Sequence, residues 1–125
     1  MGEWGEEVAA KYLEKQGFRI VERRSREGKG ELDIIAVGTD KAGAYIVFVE
    51  VKTRASEVFG GPEAALDTRK RQALRRAAMH YLRRLKGPLP RFRFDLVAVV
   101  GSPDSREKPV IRHRPDVLHM DARAR

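Results

Sequence analysis

The spacing of apolar residues changes several times along this 125-residue chain, and each change marks an element. Trp4, Val8, Ala9, Tyr12 and Leu13 recur at helical spacing and Gly17 stops the run, which predicts a helix over residues 3–16. Three strands are predicted next, at residues 18–24, 31–37 and 44–52. The third, Ala-Tyr-Ile-Val-Phe-Val-Glu-Val-Lys, is apolar without alternation, as expected of a strand covered on both faces. The linker 38–43, Gly-Thr-Asp-Lys-Ala-Gly, suits a hairpin between the second and third strands. A loop over residues 53–61 contains Gly60 and Gly61, and Pro62 then suits a first helical position. The long helix that follows is predicted to reach Leu85, where Lys86-Gly87-Pro88 ends it. Residues 92–100 read as a fourth strand and 109–113 as a fifth, and the basic tail from about Arg114 to 125 is expected to be loosely held. Neither repeats nor a domain boundary are visible, so residues 1–125 read as one α/β domain. The economical arrangement is one central sheet with helices on its faces, in the order α-β-β-β-α-β-β.

Strand alternation then brings chemistry together. Ile46, Phe48, Glu50 and Lys52 share one face of the third strand, and Asp33, Ile35 and Val37 share one face of the second. In an antiparallel pair that sets Val37 against Ile46, Ile35 meets Phe48 and Asp33 meets Glu50. A one-residue slip would spoil the apolar match, so the register is strongly specified. Carboxylates about 5 Å apart repel by roughly 3 kcal/mol at an effective dielectric near 20. A divalent cation reverses that sign, and hard oxygen ligands select Mg²⁺ or Mn²⁺. Lys52 lies on the same face, where it can hold a water nucleophile or steady developing phosphorane charge. Either acid alone would be bland: Glu-Val-Lys also describes a solvated strand end, and Asp33 a turn cap. A third acid, Glu6, falls at the margin of the first helix's apolar stripe. It either reaches toward the sheet or simply favours the helix dipole.

Charge extends the picture. Lys and Arg number 26 against 18 Asp and Glu, for a net charge of +8 and a pI near 10.2, which favours polyanionic partners. The long helix carries Arg69, Lys70, Arg71, Arg75, Arg76, Arg83, Arg84 and Lys86, mostly outside the stripe of Leu66, Leu74, Ala77, Ala78, Tyr81 and Leu85. With few acids to neutralise it, this face suits phosphate contacts. Lys70 points along the stripe itself, and either reaches the catalytic face or snorkels past apolar neighbours. Arg54 is a further phosphate contact, whereas Asp95, in Arg93-Phe94-Asp95, reads as a structural ion pair more readily than as support for a metal. Cysteine is absent, which excludes disulfides and thiolate zinc sites, and His80, His113 and His119 form no metal-spacing motif. No secretory signal and no apolar run long enough to span a bilayer are visible, and the expectation is a cytoplasmic protein with no membrane partner.

Gly30-Glu31-Leu32-Asp33 followed by Glu50-Val51-Lys52 resembles the PD-(D/E)XK nuclease signature. Together with Gly5-Glu6, Phe48 to Arg54, Phe59-Gly60, Lys70 and Arg93-Phe94-Asp95, it is similar to the YraN-like bacterial family, itself similar to archaeal Holliday-junction resolvases. The likeness runs from about Gly2 to Val100. It implies a restriction-endonuclease-like core, a central mixed sheet of four to five strands flanked by helices. It implies metal ligation by Asp33, Glu50 and the Val51 carbonyl, with one or two Mg²⁺ or Mn²⁺ ions per site. It gives Lys52 a catalytic role, marks Glu6 as the helix acid, and implies a homodimer acting on DNA. One departure is Leu32, where that signature has Pro. The function expected is a metal-dependent DNA endonuclease or structure-selective, Holliday-junction-like nuclease, gripping phosphates through Arg54, Arg69, Lys70, Arg71, Arg75 and Arg76. The competing expectation is a binding module that keeps the fold without turnover. No base-reading motif is present, so shape or backbone recognition is expected.

Overall fold

The structure, a computed structural model, describes residues 2–56 and 66–118. Helix α1 (Gly2–Lys15) leads into strands β1 (Arg19–Glu27), β2 (Gly30–Asp40) and β3 (Gly43–Arg54). Helix α2 (Thr68–Arg84) and strands β4 (Phe92–Val100) and β5 (Val110–Arg114) follow. The fold is α/β, with the strands side by side in the order β1-β2-β3-β4-β5. Only β3 and β4 run parallel, so the sheet is mixed. The connection that reverses direction between them contains α2, as a parallel crossover requires.

Each helix seals one face. Ala9, Ala10 and Leu13 of α1 pack with Ile34, Ala36, Val47, Val49, Val97 and Val99. On the other face, Leu74, Ala77, Ala78, Tyr81 and Leu82 of α2 pack with Leu32, Ile35, Phe48, Phe94 and Leu96. Consecutive residues of β3 and β4 therefore enter opposite cores, which is why these strands carry unbroken apolar runs.

The segment 38–43 is mostly strand. β2 runs to Asp40 and β3 resumes at Gly43, leaving only Lys41 and Ala42 as the turn, with the Ala42 N–H donating to Asp40 Oδ1 at 2.9 Å. Gly38 mimics a turn residue but is there for space, since a Cβ would fall 2.6 Å from the Tyr45 ring. The second helix also starts later than Pro62 suggests. Leu66 and Asp67 are not helical, and Asp67 caps the helix by accepting the Lys70 N–H at 2.8 Å. A side-chain acceptor at this position competes with continuing the helix backwards. Phe59, Gly60, Gly61 and Pro62 lie outside the described residues. At the other end Leu85 is the extended C-cap and lies exposed, and Leu82 completes the buried stripe in its place.

The tail is firmly seated as far as it is described. Val117 donates its N–H to the Phe94 carbonyl at 2.8 Å, Asp116 donates its N–H to Asp95 Oδ1 at 3.0 Å, and Leu118 is buried. Residues 119–125 lie outside the described part. No helix among the described residues is long and apolar enough to cross a membrane.

Helix α1 lies close over β3 because Gly5 has no side chain: a Cβ there would come within 1.9 Å of Thr53 Oγ1 and 3.1 Å of Thr53 Cβ. Gly5→Ala is expected to cost about 2 kcal/mol of stability, as overpacking of a tight contact does. Adding Thr53→Ala should recover about half of that loss, because it removes the closest atom. Denaturant unfolding of the single and double variants measures both effects.

Candidate active site

The β2–β3 ladder pairs Val37 with Ile46, Ile35 with Phe48 and Ile34 with Val49. One step further along, Asp33 and Glu50 come into hydrogen-bonding reach of each other. The Asp33 carboxylate does not simply extend the ladder. Its Oδ2 accepts the Val51 N–H at 2.8 Å, so backbone geometry holds the acid in place. β2 also turns over here, since Leu32 and Ile34, two residues apart, enter opposite cores. Arg24, at the matching point of β1, has φ 51, a left-handed value unusual for a side chain of this size.

Glu50 is only 5% exposed. Two ammonium groups face it: Lys70 Nζ lies 3.0 Å from Glu50 Oε2 and Lys52 Nζ lies 3.8 Å from the same oxygen. Lys70 arrives from the first turn of α2, placed there by the Asp67 cap. Burial opposes its charge, but the hydrogen bond to Glu50 and the charges of Glu50 and Asp33 prevail and hold it above the ordinary lysine value. Asp33 behaves oppositely. Burial, followed by repulsion from Glu50, pushes its carboxyl up to about 7 against a partial counter-effect from the Val51 N–H.

Four of the residues expected at the site, Asp33, Glu50, Lys52 and Lys70, are thus brought together, and Val51 is tied to them through its N–H. Glu6 makes other contacts: its Oε1 accepts from Arg24 Nε at 2.7 Å. Among the described residues no three His, Cys, Asp or Glu side chains gather as a ligand cluster. Arg71 points away to structural work, donating to the Leu66 carbonyl at 2.8 Å and the Val117 carbonyl at 3.0 Å. Arg54, Arg69 and Arg76 are exposed, and Arg75 is half-buried.

Asp95 belongs to a separate buried network on the α1 side. It accepts from Arg93 Nε and Nη2 at 2.9 and 3.0 Å, and lies 2.7 Å from His113 Nε2. His113 Nδ1 in turn meets the Tyr12 hydroxyl at 2.9 Å. Burial would raise the Asp95 carboxyl, yet these partners hold it below its ordinary value. Glu27, which no sequence signal singled out, is another buried acid. It binds Arg84 through two hydrogen bonds, Ser25 through its hydroxyl, and His80 at 2.9 Å. Placed just before Gly28-Lys29-Gly30, it reads as a turn residue until the helix packs over it.

Residues 5–99 match the family described as "Uncharacterised protein family UPF0102". The chain belongs to the UPF0102 family. It is 45% identical over 100 residues to a UPF0102 protein of Syntrophomonas wolfei, covering 80% of this chain and 84% of that one. It is 43% identical over 106 residues to a UPF0102 protein of Symbiobacterium thermophilum, covering 85% and 86%. A UPF0102 protein of Nocardia farcinica is 43% identical over 113 residues, covering 90% and 84%. The YraN-like likeness carried by the motifs is to this UPF0102 family, whose matched span includes Glu6, Asp33, Glu50, Val51, Lys52 and Lys70.

The acid pair has a measurable consequence in the metal-free protein. Because the folded state holds the Asp33 proton up to about pH 7 and the unfolded chain loses it near pH 3.8, stability falls as pH rises between those values and stays lowered above them. Asp33→Asn keeps an acceptor for Val51 and removes the charge. It should leave stability nearly unchanged at pH 4 and raise it by about 2 kcal/mol at pH 8, partial exposure allowed for. Thermal unfolding in a chelating buffer at both pH values tests this; an equal effect at both would remove the crowding.

Proposed function

We propose that this protein is a metal-dependent nuclease that hydrolyses the phosphodiesters of DNA. The observation that carries the reading is the meeting of half-buried Asp33 with buried Glu50 at the end of one strand pair, with Lys52 and Lys70 facing the same carboxylate. Structural ion pairs do not require two acids in one place, and a divalent cation would offset both the burial and the repulsion from Glu50 that lift the Asp33 carboxyl. The donor set of two carboxylates and the nearby Val51 carbonyl is hard oxygen, suited to Mg²⁺ or Mn²⁺. Such a cation would supply Lewis-acid polarisation of a phosphate oxygen and acidify a water.

The protein's own groups divide the remaining work. Asp33 is aimed by the Val51 N–H, which takes its Oδ2. Lys52 and Lys70 present cationic donors where negative charge builds on the pentacovalent phosphorus. The basic surface of α2 would hold the flanking backbone, which agrees with the +8 net charge. Membership of the PD-(D/E)XK superfamily, a likeness to archaeal resolvases and a homodimeric state belong to this same reading and rest on the motif resemblance.

A second reading has one observation in its favour. Lys70 lies 3.0 Å from Glu50 and already neutralises it, so a non-catalytic nucleic-acid-binding protein would tolerate the pair without a metal. One assay separates the two: purified protein with Mn²⁺ on linear, nicked, flapped and four-way DNA, beside Glu50→Gln. Cleavage that falls by at least about 100-fold in the variant is expected, a loss typical of removing transition-state stabilisation. Equal background from both proteins would leave the binding module standing.

A further inference from the structure

A groove of about 520 Å³ lies between the β1–β2 turn and the flank of α2, lined by Gly28, Lys29 and Gly30 on one side and by Ala73, Arg75, Arg76, Ala77, Met79, His80 and Arg83 on the other. Its floor is made of small residues. Gly30 and Ala77 nearly touch, since a Cβ on Gly30 would lie 3.4 Å from the Ala77 Cβ. Gly28 turns with φ 63, and its Cα side faces the His80 ring. Alanines one helical turn apart at positions 73 and 77 leave open space where longer side chains would fill it.

Four cations line this groove. Lys29, Arg75, Arg76 and Arg83 make no ion pair among the described residues, whereas Arg23, Arg24, Arg84, Arg91 and Arg93 each meet a carboxylate. Arg75 Nε is buried and lacks a hydrogen-bond partner, which is costly unless something occupies the space. The one acid in the lining does not cancel this field. Glu27 is 2% exposed and already engaged by Arg84, Ser25 and His80. Burial would raise its carboxyl, but those hydrogen bonds bring it down to about 2, so its charge is spent inside the protein.

The groove also has a direction. At 100° per residue, Ala73 and Ala77 lie on the flank of α2 that carries Lys70. From Lys70 to Arg83 the helix rises roughly 20 Å, room for several backbone phosphates.

We propose that this groove binds the phosphodiester backbone of a nucleic acid strand, seating it along α2 several phosphates away from the Asp33–Glu50 pair. The placement relative to scission rests on the nuclease reading; the backbone binding does not. Recognition is through charge and the opening between the β1–β2 turn and the helix, so it is independent of base sequence.

The test uses the full chain in a chelating buffer, where no cleavage occurs, and a fluorescent 20-nucleotide single strand of mixed sequence read by anisotropy. The double variant Arg76→Glu, Arg83→Glu is expected to weaken binding at least about 10-fold and to flatten the salt dependence by about two counter-ions. Lys11→Glu, Lys15→Glu, which makes the same charge change on exposed positions of α1, is expected to weaken it by less than about 3-fold. Ala73→Gln, which fills the floor without changing charge, should weaken binding several-fold while far-UV circular dichroism stays unchanged. Equal losses from the two charge-reversal pairs would reduce the effect to net charge and overturn the groove, as would full affinity in Ala73→Gln. Inorganic phosphate at 10 mM should not displace the strand; displacement would assign the groove to a small phosphate and overturn the proposal. Failure of every DNA to be cleaved would remove the nuclease reading and leave these binding results untouched.

Discussion

The feature on which the rest of the molecule turns is the repulsion of two carboxylates held together by an apolar register. Pairing Ile35 with Phe48 and Val37 with Ile46 buries side chains on the α2 face of the sheet. The same register delivers Asp33 to Glu50. Sliding β2 by one residue would separate the acids, but it would also exchange Ile35 with Ile34 and Ala36 between the two cores and spoil the packing of both. Hydrophobic burial therefore offsets an electrostatic penalty that nothing local would tolerate. Surrounding groups are arranged to contain that penalty: the Val51 N–H takes one Asp33 oxygen, and two ammonium groups face Glu50.

Helix α2 performs two tasks with opposite faces. Leu74, Ala78, Tyr81 and Leu82 close the core, while the remaining positions carry the cations. The Asp67 cap fixes where the helix begins, and with it the point from which Lys70 extends. Two of its arginines are withdrawn from the surface field. Arg84 neutralises buried Glu27, and Arg71 holds carbonyls of Leu66 and Val117. A count of positive residues on the helix therefore overstates what is free to meet a phosphate. Three others, Arg75, Arg76 and Arg83, gather at the edge beside the β1–β2 turn.

Legibility from sequence followed the range of the forces involved. Periodicity is local, so the helices, the strands and the β2–β3 register could be read directly, and through that register the acid pair. What escaped depended on contacts between distant segments. Glu27 looks like a turn acid because Arg84, 57 residues away, is invisible beside it. Asp95 was expected in an ion pair, and its Arg93 partner is two residues off, but its bonds to His113 and the Asp116 N–H needed β5 in place. Arg71 looked like one more surface cation because carbonyl acceptors carry no sequence signature. The beginning of α2 at Thr68 escaped because it is set by the Asp67 side chain taking the Lys70 N–H, which apolar periodicity does not register. Glu6 sat at the helix margin as expected, but Arg24, whose left-handed backbone no pattern announces, claims its carboxylate.

The grip of Arg71 has a mechanical implication. Its guanidinium is a clasp between Leu66, just ahead of the α2 cap, and Val117, beyond β5, and Val117 is in turn stitched to Phe94 of β4. Any shift of the front end of α2, such as would follow if Lys70 let go of Glu50, pulls on that clasp. The amide proton of Val117 thus becomes a remote gauge of events at the acid pair: its rate of exchange with heavy water would register whether the helix tip is tethered or released, without a probe placed anywhere near the chemistry.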